Sequence, residues 1–283
     1  TWGHSTVARR GRRVTSGPLD EEHIVHFKSY GFLIMRRVLD PVLLARARAR
    51  LWDAAPPSMR RDNPDTWTGP IKATEEDTGR DNYRKGFRWQ YRAIGSAGWM
   101  IDLLPLASQV WRIAEQLLGE GEIVPPDGVR GIYCTLPYGQ HTGGADGCHV
   151  DAHPFHLGVV GYIDDVAANG GGFRVWPGSH RTFYPDFASA YCMEPRHGYE
   201  ADKLRISRRP SVDCHGRAGD VVFWHHRLGH MAAHNYTRHI RQAVLYDFRK
   251  KDLALRQQEP PAEDMWEDWS LAVRRADATG APP

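Results

Sequence analysis

From residue 129 to residue 248 the chain runs in short β-rich stretches punctuated by glycine, proline, asparagine and aspartate: VRGIYCTL, FHLGVVGYI, GFRVW, SVDCH, DVVFWH and RQAVLYDF. Strands of this length with turn residues between them suit a sandwich or a barrel, because each run buries a face and must then reverse. Ahead of them the pattern is helical. LDEEHIVHFKSYG carries apolar Leu19, Ile24 and Phe27, acids near its start and Gly31 at its end, which are helix start and stop signals. FLIMRRVL reads as a short strand. Asp40-Pro41 opens a second helix, PVLLARARARLWDAA, and LLPLASQVWRIAEQLLG (103–119) reads as a third. Helices first and strands afterwards predict a mainly β fold with flanking helices on one side of an antiparallel core.

Length and composition narrow the classes. A single β-rich barrel often reaches 283 residues. A hydrophobic share of 41%, with ten Trp, eleven Tyr and nine Phe, supplies a core and excludes disorder as the main state. No apolar run is long enough to span a membrane, and the N-terminus lacks the apolar stretch of a secretory signal, so a cytoplasmic protein is expected. Four scattered cysteines without a C-x-x-C pair make neither a disulfide framework nor a zinc ribbon. A net charge of +3 is too mild to imply nucleic acid. The expected partner is a small molecule, for a monomer or a homodimer. Residues 1–17 read as a disordered basic tail, 18–250 as a single domain, and 251–283 as a C-terminal extension with an amphipathic turn around Trp266 and Trp269. Two aromatic, basic segments, 56–98 and 181–209, read as lid-like insertions. In the first, Arg84, Lys85, Arg88 or Arg92 would meet an anionic group, and Trp89 or Tyr91 would supply a flat wall.

Fifteen histidines are the unusual feature of the composition. The densest cluster is CHVDAHPFH, 148–156. On an extended strand His149 and Asp151 point to the same side, offering two ligands to a divalent metal; Cys148 falls on the opposite face and is expected to pack. A further histidine would complete the two-His-one-carboxylate set of non-heme Fe(II) oxygenases, which leaves coordination positions open. The second cluster, GDVVFWHHRLGHMAAHNYTRHIRQAVLYDF (219–248), places His230 after one strand and Arg241, eleven residues on, at the start of the next. An antiparallel neighbour strand would bring Arg241 back beside the metal, where a guanidinium can grip a carboxylate in bidentate fashion.

The combination resembles the phytanoyl-CoA dioxygenase-like family of Fe(II)/2-oxoglutarate-dependent oxygenases. His149-x-Asp151 is similar to the proximal metal motif, NGGGFRVWPGSH (169–180) to the family's N-G-x-L-x-V-x-P-G-S-H segment with Phe173 in the leucine place, and His230 with Asn235, Thr237 and Arg241 to the distal motif. The lead-in through residues 20–51 is also similar, and the resemblance covers roughly residues 18–250. It implies a double-stranded β-helix (jelly roll, cupin-like) core. His149, Asp151 and His230 would hold Fe(II), Arg241 would pair with the far carboxylate of the co-substrate 2-oxoglutarate, and O2 would be the oxidant. Where many members carry a hydroxyl two residues after the distal histidine, this chain has Ala232, so Phe155 or Trp224 is expected to support the co-substrate instead. His225, His226 and His234 compete with His230 for the distal role, and the spacing to Asn235 and Arg241 favours His230. Structural or substrate contacts are expected of His153, His156 and His180. Family halogenases place a small residue where Asp151 stands, which makes hydroxylation the default and leaves desaturation, epoxidation or cyclisation as variants of the same chemistry. The insertions suit a small polar or anionic substrate, such as an amino-acid derivative or a natural-product intermediate, touched by Arg84, Arg88, Trp89 and His153. Two rival readings are a Zn(II) hydrolase using H-x-D-x-H and a catalytically silent jelly-roll binding module. The first leaves Arg241 and the PGSH segment without a purpose, and the second leaves the triad without one.

Overall fold

A computed structural model of the chain describes residues 18–277; the basic segment 1–17 lies outside the described residues. The expected first helix forms as α1 (Glu21–Tyr30), capped by Asp20, whose carboxylate accepts the His23 N–H, and closed by Gly31 in the left-handed region at φ 81°. Strand β1 (Phe32–Met35) follows, then α2 (Pro41–Leu51), with Asp40 accepting the N–H groups of Val42 and Leu43. The next two strands, β2 (Asn82–Lys85) and β3 (Arg88–Tyr91), form a hairpin in a segment the sequence marks only as a long polar loop. An unexpected short helix, α3 (Gly98–Leu103), comes next, and the helix expected over 103–119 forms as α4 (Ser108–Leu118), starting beyond Pro105, which cannot continue a helix. Then come β4 (Ile132–Thr135), β5 (Leu157–Tyr162), β6 (Phe173–Val175), α5 (Ser179–Phe183), α6 (Tyr199–Ser207), β7 (Val212–Asp213), β8 (Val221–His225), β9 (His230–Ala232) and β10 (Arg241–Phe248), followed by α7 (Leu253–Arg256) and α8 (Leu271–Arg275).

The strands make a seven-stranded antiparallel sheet, in the order β1-β8-β5-β10-β4-β3-β2, and a three-stranded sheet, β7-β6-β9. His149 adds a bridge to His230 at the β9 edge of the small sheet. This is the mainly β, jelly-roll core with flanking helices expected from the sequence. Because side chains alternate along a strand, the large sheet serves two cores. Val221 and Phe223 of β8 join Trp89, Val159, Val244 and Phe248 in the core shared with Phe27, Leu44, Val110, Ile113 and Leu117 of the helices. Val222 and Trp224 turn the other way and, with Val160, Tyr162 and Ala243, meet Phe173 and Val175 of the small sheet. The segment 251–277 belongs to this packing: Trp266 and Trp269 are buried against Phe27, and the Lys28 ammonium donates to the Ala276 carbonyl.

The hairpin corrects two expected substrate contacts. Pairing sets Arg84 opposite Trp89, and Trp89 opposite Cys134, which lies in the helix-side core. Trp89 is fully buried there, its ring edge-on to Trp52 at 5.9 Å, and Arg84 donates to the Ala55 carbonyl and pairs with Asp77. Both therefore face the helices. Tyr91 shares that side, packed on the helix-side core. We expect Trp89→Ala to cost about 3–5 kcal/mol, read from urea unfolding, while Trp89→Phe keeps full turnover. An unchanged urea midpoint in Trp89→Ala would contradict the core assignment.

Candidate active site

One antiparallel pair brings the expected metal ligands together. The His149 N–H donates to the His230 carbonyl at 3.1 Å, and the His230 N–H returns the bond at 3.0 Å. Residues directly opposed in this way project to the same face, and the two imidazole centroids lie 4.6 Å apart. Asp151, two residues on, joins that face; its Oδ2 is 3.4 Å from His230 Nε2. The ligand atoms of His149, Asp151 and His230 all lie within 4.8 Å of one another, and no other such group of three or more exists among the described residues.

The surroundings hold each member in place. His230 Nδ1 lies 2.9 Å from the Leu228 carbonyl, so donation there directs Nε2 into the site. Phe173 stacks on the His230 ring at 5.0 Å and Trp224 lies 5.5 Å from it. Trp224 can lie flat over β5 because residue 158 is glycine; a Cβ there would come within 2.2 Å of the indole. Ser179 accepts the Gly229 N–H at 2.8 Å, fixing the turn before His230. On the other edge of the His149 strand, the Cys148 N–H donates to Ser207 of α6 at 3.0 Å. Phe183, Phe187, Tyr199 and Ile206 of the second insertion pack on Cys148 and Val150, so the insertion buttresses this strand from behind. Cys148 is buried, as expected.

The electrostatics suit a cation. Burial and the neighbouring His230 hold His149 below the usual histidine range, although Asp151 opposes the shift; the neutral imidazole is the form that ligates. Burial pushes the Asp151 carboxyl up, but His230 and Arg130 outweigh it and keep the group ionised. Asp151 Oδ2 is buried and accepts no hydrogen bond. An orphaned carboxylate oxygen beside two imidazoles is the donor set of an Fe(II) site, and the triad fits that ion.

Arg241 opens β10 on the inner face of the large sheet, directly opposite Thr135. Its Nε donates to the Gly171 carbonyl (2.8 Å), Nη1 to the Tyr133 carbonyl (3.1 Å) and Nη2 to Thr135 Oγ1 (2.9 Å). Gly171 adopts φ 78°, and a Cβ there would press on Asn235 and Thr135 at 3.0–3.1 Å, which accounts for the glycine run of the 169–180 motif. Asn235 is the node beneath: its amide donates to the Thr135 and His239 carbonyls, and its Oδ1 accepts the N–H and hydroxyl of Thr237. No carboxylate among the described residues pairs with Arg241. Thr135, absent from the sequence reading, supplies a hydroxyl beside this guanidinium; nothing in its local sequence marks it.

Arg88 is opposite Thr135 on the far side of β4, so it shares the inner face with Arg241. His153 stacks on Phe155 at 5.1 Å, and its Nε2 lies 3.0 Å from Asp247 and 2.7 Å from Arg130, whose Nη2 is 3.8 Å from Asp151. Phe155 is buried edge-on to Trp224 at 6.2 Å. The competing histidines point elsewhere. His225 stacks on Trp269 at 5.1 Å, His226 Nε2 meets the Ala190 carbonyl at 3.0 Å, and His234 packs edge-on to Tyr138. His180 reaches the Lys28 carbonyl at 3.1 Å and His156 lies 3.5 Å from Asp268, both structural contacts.

Residues 27–243 match the family model described as phytanoyl-CoA dioxygenase (PhyH). No curated protein matches the chain. Among solved structures it is similar to the non-heme alpha ketoglutarate dependent carbocyclase SnoK from nogalamycin biosynthesis, at 18% identity and a TM-score of 0.53 over 90% of this chain and 98% of that one. It is similar to EctD from S. alaskensis, solved with 2-oxoglutarate and 5-hydroxyectoine, at 15% identity and a TM-score of 0.53 over 89% and 82%. AviO1 from Streptomyces viridochromogenes Tue57 gives 19% and 0.51 over 83% and 97%. At these identities the likeness is one of fold.

The buried histidines outside the triad generate a prediction. Burial holds His180 down at about 3, and burial also holds His225 and His226 well below the usual histidine range, helped by His226 and Arg227 respectively. Each stays neutral when folded and takes up a proton on unfolding below an ordinary pKa of about 6.5. Their stabilisation is therefore complete above that pH and is lost as pH falls, with a slope approaching ~4 kcal/mol per pH unit for three groups near pH 5. Carboxylates held low, such as Asp268 at about 2, lose their contribution only below the unfolded carboxylate range of about 4. Urea midpoints measured between pH 5 and 7 should fall steeply; a flat profile would show that these histidines protonate in the folded protein.

Proposed function

The chain belongs to the phytanoyl-CoA dioxygenase family, and from that membership we propose that it is an Fe(II)- and 2-oxoglutarate-dependent dioxygenase that hydroxylates an unactivated C–H bond of a small polar or anionic molecule. The observation that carries this reading is a buried guanidinium without a carboxylate partner on the inner face of the large sheet, the face turned toward the small sheet whose edge carries the His-Asp-His triad. A charge so placed is costly unless a ligand completes it, and the distal carboxylate of a 2-oxo diacid is such a ligand. A hydrolytic metal site has no use for it.

His149, Asp151 and His230 hold the metal, and Fe(II) with 2-oxoglutarate and O2 supplies the oxidising power when bound. Arg241, fixed by its bonds to Gly171, Tyr133 and Thr135, orients the co-substrate by its far carboxylate. Phe155, Trp224 and Phe173 form an apolar wall next to His230 and keep water from that side. The Asp151 carboxylate occupies the place a halide would need, which favours hydroxylation over halogenation. Arg88 and His153 are the remaining substrate contacts of the sequence reading, one at each end of the inner face. The similar proteins include a carbocyclase, so cyclisation is the alternative outcome at the same centre, and the substrate is set by the mouth of the barrel.

The test is an anaerobic titration of the Fe(II) protein with 2-oxoglutarate, following the absorption band of the chelate, together with succinate release under O2. Arg241→Ala should weaken 2-oxoglutarate by about tenfold to a hundredfold, from the ~1.5–3 kcal/mol of a charge-assisted pair. Arg241→Lys should fall between, keeping the charge and losing the fork. Asp151→Ala should abolish turnover. An unchanged midpoint in Arg241→Ala would assign the co-substrate to another cation.

A further inference from the structure

The inner face of the large sheet carries more positive charge than the proposed co-substrate can use, and the surplus bears on the substrate. Register places Lys85 opposite Arg88, Arg88 opposite Thr135, and Thr135 opposite Arg241. Opposed residues project to one side of a sheet, so these three cations lie in a row across β2, β3 and β10 on the face that bears the site. Other ionisable groups near this face already have partners. Asp247 takes Arg130 through Nε at 2.7 Å and Nη2 at 2.6 Å. Arg92 donates twice to Gln90 and lies over the Tyr83 ring. Asp151 belongs to the triad. Arg88 and Lys85 are exposed and make no hydrogen bond or ion pair with any described residue. The Arg88 charge acts on both His149 and Arg241, the two ends of the interval a 2-oxo diacid would span.

Resting on the oxygenase reading above, the count of anions is fixed. 2-Oxoglutarate brings two carboxylates, and the metal and Arg241 take one each. Arg88 and Lys85 are left facing the site without an anion, beside an aromatic wall where Phe87 stacks on Tyr138 at 3.7 Å. A substrate that covers this edge must desolvate them, which costs free energy unless it supplies a counter-charge. We propose that Arg88 and Lys85 form the recognition site for an oxyanion, a carboxylate or a phosphate, carried by the substrate to be oxidised. They are specificity residues of the hairpin and do not serve the co-substrate.

The experiment uses the full chain with Mn(II) in the metal site and saturating 2-oxoglutarate, and needs no turnover. Inorganic phosphate is followed by 31P relaxation and [13C]acetate by 13C relaxation, since an anion seated at Arg88 lies close enough to the paramagnetic ion to relax faster. Whichever nucleus responds identifies the preferred oxyanion. Arg88→Gln and Lys85→Gln should each reduce the enhancement by about two- to fivefold, the scale of an exposed charge pair. The double variant should match a blank without protein-bound anion, and 2-oxoglutarate affinity should change by less than about twofold. Normal binding of Mn(II) and 2-oxoglutarate without enhancement, or enhancement untouched by both variants, overturns the inference alone. So does a loss of about tenfold in 2-oxoglutarate affinity in Arg88→Gln, which would hand that residue to the co-substrate. Failure of the wild-type protein to bind Mn(II) and 2-oxoglutarate overturns the oxygenase reading and this inference with it.

Discussion

Two backbone hydrogen bonds between His149 and His230 join segments that sequence leaves far apart, and the site exists because of them. Each imidazole is aimed by the pleat of its own strand, so the ring separation follows from strand pairing and not from flexible side-chain choice. Everything nearby keeps that pair in register. Ser179 fixes the turn before His230, Ser207 satisfies the free edge of the His149 strand, and Phe173 lies against the distal ring. α6 thus takes the place of a missing neighbour strand, supplying a hydroxyl where another backbone carbonyl would otherwise accept.

The two faces of the large sheet divide the work of folding and chemistry. The helix-side face is mostly apolar, with Trp89, Val159, Phe223 and Phe248 fully buried. The face toward the small sheet is apolar only at its centre and carries ionisable groups towards its ends: Arg241 and Arg88 at one, Asp247 and Arg130 at the other. Buried charge is destabilising unless it is bonded, and here each group is either held by carbonyls, matched by a counter-charge, or left open to a ligand. Stability on one face permits a costly, polar arrangement on the other.

Much of this was legible from residues alone. The last strand falls where the run RQAVLYDF places it, and α1 ends at the predicted Gly31. The His149-x-Asp151 and His230-to-Arg241 spacings identified residues that the fold does bring together. The β2–β3 hairpin escaped because its alternation is masked by charge: aromatic and basic residues appear on both sides of Gly86. Missing the hairpin also meant missing its register, and a shift of one residue exchanges the faces of a strand. That is why Arg84 and Trp89 looked as suited to the substrate as Arg88 does. Thr135 and Ser207 were invisible for another reason. Their roles depend on partners brought near only by folding, and an isolated threonine or serine carries no local signature.

The sequence by itself determined the class of fold, the order of its elements and the chemical kinds of ligand available, because turn residues, caps and hydrophobic period act over a few neighbouring positions. It also fixed which histidine stands at the right offset from Arg241. Only the tertiary structure decided which side chains face the metal site and which face the helices, since that choice is made by pairing between distant strands. The same pairing buried His225 and His226 among aromatic rings while turning His230 inward, and it lined up Lys85, Arg88 and Arg241 across strands that local sequence cannot relate.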